Sequence, residues 1–291
     1  MRVLVTGATG YIGSHLVKSL AEWGNMVYAT DFNMQQNNIE KYIVSGKPTY
    51  CDIRHDTNYS SGKFFGYTQF DVVVHCAAAT KVSLSVTDPY NYYLTNIVGT
   101  QNIINHVEFD HFIYCSTGSA FQPGSSPYAT SKRAAEDLVS ILPKYTITRF
   151  YNVSGNDGMR KYDDGYFHLI RKAAAVANRK FPKLDIYGTD WETRDGTTVR
   201  NYTHIKDIVD ATVAIVHNGP TNKIECLGTK RGSTVREVVA AMKSISWDFP
   251  TEDAPRRPGE VAISTMPEQS RFFVENESLV DMCKSAMEYE K

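Results

Sequence analysis

A short apolar strand pattern, VLVT at residues 3–6, runs directly into a glycine-spaced turn, GATGYIG at residues 7–13. A stretch with apolar residues at helical spacing follows and reaches about residue 24. The first N–H groups of a helix bind anions, and glycine lets the backbone approach a phosphate closely. We therefore predict a strand, a turn and a helix whose junction holds a pyrophosphate. The candidate contacts are Gly7, Gly10, Tyr11, Ile12 and Gly13.

The same alternation of strand and helix continues through the first half of the chain. The further strand patterns are MVYATD, TYCD, DVVVHCA, HFIYCS and TITRFYN, and helical patterns cover residues 89–107 and 128–142. Crossovers of this length join parallel strands. The fold class predicted is α/β, a doubly wound parallel sheet of the Rossmann type.

The second half of the chain is more polar and irregular after about residue 154. It contains a helical pattern near residues 166–180, the strand LDIYG, a long polar loop, a helical run at 204–217 and the strand IECLG. A further helix is predicted from Thr234, with Glu237 completing a capping box. We predict a nucleotide-binding domain at 1–154 and a smaller α/β, mainly substrate-binding domain at 155–291, with segments near 201–228 packing back on the first.

Composition excludes several classes of partner. With 31 Lys and Arg against 32 Asp and Glu, the chain has no net field to hold a nucleic acid. The apolar runs are too short to cross a membrane, and the N-terminus lacks a signal-peptide profile. Five cysteines without C-x-x-C spacing suggest reduced core thiols, which fits the cytoplasm. No metal site is predicted.

Acidic residues follow the second and third predicted strands. Asp31 ends the second strand about twenty residues beyond the glycine turn, where a carboxylate binds the adenosine ribose hydroxyls and repels a 2′-phosphate. NAD is therefore favoured over NADP. Asp52, with Ile53, could line the adenine in the same way. A solvated strand end remains the alternative interpretation for Asp31.

A second candidate site lies in SSPYATSKRAAE, residues 125–136. On a helix that begins just after Pro127, Tyr128 and Lys132 stand one turn apart and face the same side. A free phenol has a pKa of about 10, so it is a poor base at neutral pH unless positive charge favours its anion. Lys132 would supply that charge, although a solvated helix face would show the same spacing.

Together the glycine turn, Asp31, NIVGT at 96–100 and the Y-x-x-x-K pair resemble the extended short-chain dehydrogenase/reductase family over most of the chain. The resemblance implies that Tyr128 is the general acid and base and that Lys132 holds the nicotinamide ribose. It implies a hydroxyl from Thr117, with Ser116 as the fallback. The remaining cofactor contacts implied are Asn33, Ala77, Ala78 and Asn96.

Within that family, residues 184–211 look most like the corresponding segment of the UDP-hexose 4-epimerases. The resemblance implies that Arg200 binds the substrate diphosphate and that Arg257, or its neighbour Arg256, supplies a second guanidinium. Planar guanidinium groups suit phosphate because they donate two parallel hydrogen bonds. The other substrate contacts implied are Asn152, His168 in place of a common asparagine, and Ser264 in place of a common tyrosine.

The resemblance implies an NAD-dependent isomerase that interconverts UDP-glucose and UDP-galactose through a 4-keto intermediate. The small side chain of Ser264 would leave room for an N-acetyl group, so the N-acetylated sugars stay open. Two features depart from the family: the connection between Thr117 and Tyr128 is short, which predicts an open active-site mouth, and Thr80 with Lys81 replaces an expected lysine. Helices 89–107 and 128–142 match those that form a homodimer in the family.

Two alternatives stay open. A nucleotide-sugar 4,6-dehydratase would carry an Asp-Glu pair after the catalytic threonine, where this chain has Gly118 and Ser119. A catalytically idle NAD-binding protein is conceivable because the loops are short. The presence of Thr117, Tyr128 and Lys132 favours an enzyme.

Overall fold

The computed structural model describes residues 1–33, 38–55, 69–159, 166, 168–257, 260–267, 272–273 and 278–290. The chain divides into two compact units. The first unit is Met1–Arg149 with Val209–Glu225, and the second is Phe150–Ile208 with Cys226–Lys291. The roles assigned to the two domains from the sequence stay predictions.

The strands are short and lie along the whole chain. They are β1 (Arg2–Thr6), β2 (Met26–Asp31), β3 (Thr49–Tyr50), β4 (Gln69–His75), β5 (Glu108–Thr117), β6 (Tyr145–Phe150), β7 (Asn152–Ser154), β8 (Leu184–Tyr187), β9 (Val199–Arg200), β10 (Tyr202–His204), β11 (Ile224–Gly228), β12 (Ser233–Thr234), β13 (Thr251–Ala254), β14 (Ile263–Ser264) and β15 (Phe272–Phe273).

Most of the α-helices coincide with the helical patterns predicted from the sequence, whereas those at 82–87 and 279–289 were not predicted. The α-helices are α1 (Tyr11–Glu22), α2 (Val82–Thr87), α3 (Pro89–Tyr93), α4 (Gly99–His106), α5 (Pro127–Ser140), α6 (Leu169–Ala177), α7 (Ile205–Asn218), α8 (Val235–Ser244) and α9 (Leu279–Tyr289). A π-helical stretch, Leu94–Val98, joins α3 to α4. Among the described residues, no helix combines the length and the apolar character that a membrane crossing requires.

The sheet of the first unit confirms the predicted fold class. Its strands lie in the order β3, β2, β1, β4, β5 and β6, and the pairings of β1 with β2 and β4, of β2 with β3 and of β4 with β5 are parallel. The chain reverses its direction of winding between β1 and β4. In sheets of this kind ligands bind outside the carboxyl ends of the strands at that reversal.

An apolar core holds the helices of the first unit against its sheet. Leu4, Val73 and Phe112 are fully buried on the strands, and they belong to one cluster with Ile103 of α4 and Val139 of α5. Burying one such side chain contributes about 1.5–3 kcal/mol. This packing fixes α5, and with it the Y-x-x-x-K pair, beside β5.

Local signals set the ends of the predicted helices. Pro127 is the first residue of α5, and the Ser126 hydroxyl caps that helix by accepting a hydrogen bond from the Ala129 N–H at 3.1 Å. Thr234 and Glu237 form the predicted capping box of α8. The observed helices end within a few residues of the predicted ones, because end residues fray and carry the weakest signal.

The second unit has small sheets and its own core. Strand β7 pairs with β10, β8 with β13, and β9 with both β12 and β14. Helices α6, α8 and α9 share a core that includes Ala174, Val238 and Met282. After residue 246, where no element is predicted from the sequence, the structure contains β13, β14, β15 and α9. These strands are two to four residues long, too short to show a period of their own.

Candidate active site

The glycine turn after β1 requires glycine at two positions. Gly7 has a φ of +65°, and a Cβ on it would lie 2.6 Å from the Ala77 nitrogen. A Cβ on Gly13 would lie 2.1 Å from the Gly7 oxygen. Gly10 precedes α1 with no side-chain cap, and the first turn of α1 has no acidic residue. The N–H groups of that turn lack intrahelical acceptors, so the cradle fits a pyrophosphate.

Asp31 is a buried carboxylate held rigidly at the end of β2. Its Oδ2 accepts hydrogen bonds from the Thr9 N–H at 2.9 Å and the Thr9 hydroxyl at 2.8 Å. Its Oδ1 accepts one from the Asn33 N–H at 3.0 Å. Asn33 therefore helps to hold the Asp31 carboxylate through its backbone N–H. The Asn33 carbonyl also accepts a hydrogen bond from the Thr9 hydroxyl. A carboxylate has about four acceptor sites, which leaves capacity for a ribose hydroxyl.

Asp52 is paired with an arginine that the sequence reasoning missed. Arg54 donates to both carboxylate oxygens of Asp52, from Nε at 2.8 Å and from Nη2 at 2.6 Å. This guanidinium holds the pKa of Asp52 below its usual value. The neighbouring Ile53 is fixed through its carbonyl, which accepts from the Asn102 side chain at 2.8 Å. Asp52 and Arg54 lie just after β3, and the contact of Asp52 with an adenine stays a prediction.

The loop after β4 is held by Asn96. The Asn96 side chain accepts from the Ala79 N–H at 2.8 Å and donates to the Ala79 carbonyl at 3.0 Å and to the Ser131 hydroxyl at 2.9 Å. Asn96 is buried in the π-helical stretch, a form often found at functional sites. These bonds link the backbone at Ala79 to α5, and the Ala77 N–H donates to the Thr6 hydroxyl at 3.3 Å. A direct contact of Asn96 with a cofactor stays a prediction.

Tyr128 lies in the first turn of α5 and is 9% exposed. Burial raises the pKa of the Tyr128 phenol to about 12, and its hydrogen bond with Thr117 acts in the opposite direction. The Tyr92 ring packs edge-on against it, with the ring centroids 6.3 Å apart. The Thr117 hydroxyl also accepts from the Ser119 N–H at 3.2 Å. Thr117 and Tyr128 are thus brought together as the resemblance implied.

Lys132 is 2% exposed, so the alternative of a solvated helix face is wrong. Its ammonium donates to the Cys115 carbonyl at 2.6 Å and lies 4.1 Å from the centroid of the Tyr114 ring. Burial lowers the pKa of Lys132 to about 8, while Glu136 acts to raise it. At neutral pH the lysine therefore still carries most of its charge, one turn from the Tyr128 phenol.

A buried ion pair behind the lysine was not found from the sequence. Arg149 donates to both oxygens of Glu136, from Nε at 2.8 Å and from Nη2 at 2.5 Å. The Ser116 hydroxyl donates to Glu136 at 2.5 Å. Ser116 is therefore committed to this pair, whereas Thr117 bonds with Tyr128. The only sequence signal was the position of Glu136 one turn after Lys132.

The proposed substrate contacts in the second unit lie partly on paired strands. The Asn152 side chain donates to the Asn201 carbonyl at 3.1 Å. Arg200 is opposite Ser264 in the β9–β14 pair, and its guanidinium donates to the Val261 carbonyl at 2.8 Å. Burial lowers the pKa of Arg200. His168 is exposed and directly precedes α6.

The two adjacent arginines have different surroundings. Arg256 donates to the Asp190 carboxylate at 2.7 Å and stacks 3.8 Å from the Trp191 ring centroid. Arg257 stacks 3.9 Å from the centroid of Tyr187 and is 4.0 Å from Glu260. Among the residues that the structure describes, Arg256 thus forms a short ion pair, whereas the ion pair of Arg257 is long. This difference favours Arg257 as the residue that can turn to a phosphate.

The sequence profile of the NAD dependent epimerase/dehydratase family matches residues 3–228. The chain is 30% identical over 292 residues to the UDP-glucose 4-epimerase of Halalkalibacterium halodurans, covering 90% of this chain and 86% of that protein.

The chain is also similar in structure to solved 4-epimerases. The structure of UDP-glucose 4-epimerase from Brucella ovis in complex with NAD has a TM-score of 0.85 and 27% identity, covering 99% of this chain and 98% of that one. The UDP-Glc/GlcNAc 4-epimerase from Campylobacter jejuni has a TM-score of 0.77 and 28% identity, again covering 99% and 98% of the two chains.

Proposed function

Because the chain belongs to the NAD dependent epimerase/dehydratase family, we propose that it is an NAD-dependent nucleotide-sugar 4-epimerase interconverting UDP-glucose and UDP-galactose. The observation that carries the proposal is the pair of buried side chains Tyr128 and Lys132 beside the half-buried Thr117 at the carboxyl end of β5. The relatives named as UDP-glucose 4-epimerases support the substrate class.

NAD is held by the first unit. The N-terminus of α1 and its glycine turn bind the pyrophosphate, Asp31 binds the adenosine ribose, and Lys132 binds the nicotinamide ribose. The carboxylate of Asp31 disfavours a 2′-phosphate by charge repulsion. Bound NAD supplies the group that accepts a hydride from sugar C4 and returns it.

Tyr128 moves the proton of the reaction. Its phenolate takes the proton from the sugar 4-hydroxyl and later returns one to the same oxygen, while the Thr117 hydroxyl hydrogen-bonds that oxygen. Because the pKa of the Tyr128 phenol is raised to about 12, very little of it is ionised at neutral pH unless another group stabilises the phenolate. The charge on Lys132 is therefore required, because a nearby cation stabilises the phenolate. Burial of Tyr128 and Lys132 strengthens that interaction.

The second unit supplies the contacts to the nucleotide sugar. We assign the diphosphate to Arg200 and Arg257, and sugar contacts to Asn152, His168 and Ser264. The small Ser264 leaves space beside the sugar, which extends the proposed range to the N-acetylated substrates. The 4,6-dehydratase is less well supported because the turn after Thr117, Gly118–Phe121, carries no carboxylate to eliminate water.

We place the protein in the cytoplasm as a homodimer. All five cysteines are free thiols, which suits a reducing compartment. Exposed apolar side chains follow one another along α2, α3 and the π-helical stretch, at Val86, Tyr90, Tyr93 and Val98. An exposed apolar surface of this kind is typical of a protein interface. Sedimentation of the purified protein at the mass of two chains would support the dimer, and a single-chain mass would contradict it.

The experiment that tests the function is proton NMR of the sugar anomeric signals. Purified protein is incubated with UDP-galactose and no added reductant, with Tyr128→Phe as the control. Appearance of UDP-glucose in the wild-type sample alone is the expected result. The proposal fails if neither UDP-galactose nor UDP-N-acetylgalactosamine changes.

A further inference from the structure

Two cysteines lie side by side at the carboxyl ends of neighbouring strands. His75 is the register partner of Tyr114 in the β4–β5 pair, so the next residues along each strand, Cys76 and Cys115, are also opposite each other. Their sulfur atoms are 3.3 Å apart. Cys115 is 8% exposed, and Cys76 is half-buried.

The thiol pair contacts both parts of the proposed cofactor site. The Cys115 carbonyl accepts the hydrogen bond of the Lys132 ammonium at 2.6 Å. On the other side, the carbonyl carbon of Cys76 would lie 2.9 Å from a Cβ placed on Gly7. A displacement of Cys115 therefore moves a hydrogen-bond partner of Lys132, and a displacement of Cys76 moves a direct neighbour of the glycine turn. Neither sulfur has a part in the epimerase chemistry derived above.

The surroundings of the two thiols shift their pKa values in opposite directions. The hydrogen bond from Cys76 and the charge of Lys132 lower the pKa of the Cys115 thiol. The same contact raises the pKa of Cys76. One sulfur is thus the better nucleophile, since the thiolate is the reactive form, and the other remains a thiol next to it.

We propose that Cys76 and Cys115 are a redox modification site, which a hydroperoxide oxidises to a disulfide that reversibly inactivates the enzyme. Cys115 sulfur attacks the peroxide, forming a sulfenic acid and releasing an alcohol, or water from hydrogen peroxide. Cys76 sulfur then displaces the sulfenic oxygen as water, so two thiols and one hydroperoxide give one disulfide, an alcohol and water. A small-molecule dithiol reverses the change by exchange and is itself oxidised to a disulfide.

Inactivation follows from the distances. A disulfide needs its sulfurs about 2.05 Å apart, so the two sulfurs must approach by roughly 1 Å, through rotation of the side chains and movement of the strand ends that carry them. That movement shifts the Cys115 carbonyl, which positions Lys132, and misplacement by this much can reduce turnover by about 100-fold. The inference about activity rests on the proposed function, whereas the formation of the disulfide does not.

The test treats the purified holoenzyme with hydrogen peroxide, blocks free thiols with iodoacetamide and digests the protein with trypsin without reduction. Cleavage after Lys63, Lys81 and Lys132 places the two cysteines in separate peptides, 64–81 and 82–132. Mass spectrometry should find these peptides cross-linked, with an activity loss of about 100-fold that dithiothreitol restores. Absence of the cross-link overturns the proposal whether or not UDP-galactose is turned over.

Two variants distinguish inactivation by this disulfide from inactivation by oxidation elsewhere in the protein. Cys76→Ser should resist peroxide inactivation, because the disulfide cannot form. Cys283→Ala, which removes a buried thiol of the second unit, should be inactivated as the wild type is. Equal inactivation of Cys76→Ser and wild type, or a cross-linked protein with full activity, would refute the switch.

Discussion

Glu136 and Arg149 form a buried bidentate ion pair next to Lys132 on α5, and their side chains are only 2% and 3% exposed. Glu136 lies one helical turn beyond Lys132 and also accepts the hydrogen bond of Ser116, the neighbour of Thr117. The pair therefore links α5, which carries Tyr128, to the strand end that carries Thr117. It acts by positioning these side chains.

We expect Glu136→Gln to destabilise the protein by about 3–5 kcal/mol, because it removes the buried carboxylate to which the Arg149 guanidinium donates two hydrogen bonds. Urea unfolding of the two proteins measures the difference. Asp137→Asn on the same helix is the matched control: Asp137 pairs with Arg133 at 3.2 Å but is 65% exposed, so its loss should cost less than about 1 kcal/mol. Equal losses in both variants would contradict the account.

Tyr128→Phe should reduce epimerase turnover by about 10²–10⁴-fold, the usual contribution of a general acid and base. The ring packs against Tyr92 in either case, so the fold and the bound NAD should be retained. Turnover is followed by NMR and retained cofactor by absorbance after denaturation. A variant with normal turnover would remove Tyr128 from the proposed role.

His75 should make the protein sensitive to acid. It is fully buried, with its ring nitrogens 2.7 Å from the Thr6 hydroxyl and 3.0 Å from the Thr100 hydroxyl, and burial lowers its pKa to about 3. The unfolded chain, with a pKa near 6.5, binds a proton first as the pH falls, so stability decreases with falling pH between those two values.

Relative to a His75→Gln variant, the wild type should therefore lose about 2 kcal/mol more between pH 7 and pH 5. Urea unfolding at both pH values measures this difference. The comparison cancels the other titrating groups, which the two proteins share. Parallel losses in the two proteins would show that His75 is not the acid-sensitive group.

Gly13→Ala should prevent binding of NAD, because its Cβ would meet the Gly7 oxygen at 2.1 Å and force the turn apart. Overpacking of this kind costs about 1–3 kcal/mol in stability. Gly124→Ala is the control, since a Cβ there meets no atom within 4 Å. Cofactor retained on gel filtration distinguishes them, and a Gly13→Ala protein with full NAD content would contradict the prediction.

Ser264→Tyr should lower turnover of UDP-N-acetylgalactosamine relative to UDP-galactose by about tenfold or more, by filling the space beside the sugar. Ser264→Ala, which adds no volume, should leave the ratio near that of the wild type. The ratio of kcat/KM for the two substrates is the measurement. An unchanged ratio in the tyrosine variant would place the N-acetyl group elsewhere.

Much of the cofactor region was determined by local sequence. The glycine turn, the strand end at Asp31 and the start of α5 at Pro127 depend on residues within a few positions of each other. Steric limits at glycine, the fixed φ of proline and helix capping act over that range. The same is true of the spacing that places Tyr128 and Lys132 on one face. The parallel winding was predicted on a longer scale, from the alternation of strand and helix, because crossovers of that length join parallel strands.

The tertiary structure alone decided which side chains hold these groups in place. The pairs of Glu136 with Arg149 and of Cys76 with Cys115 join residues 13 and 39 positions apart. The contact of Thr9 with Asp31 spans 22 positions, and the two-residue strands β9, β12 and β14 exist only as partners of one another. Such contacts depend on strand order and register, which set partners across the sheet and have no period in the sequence of either partner.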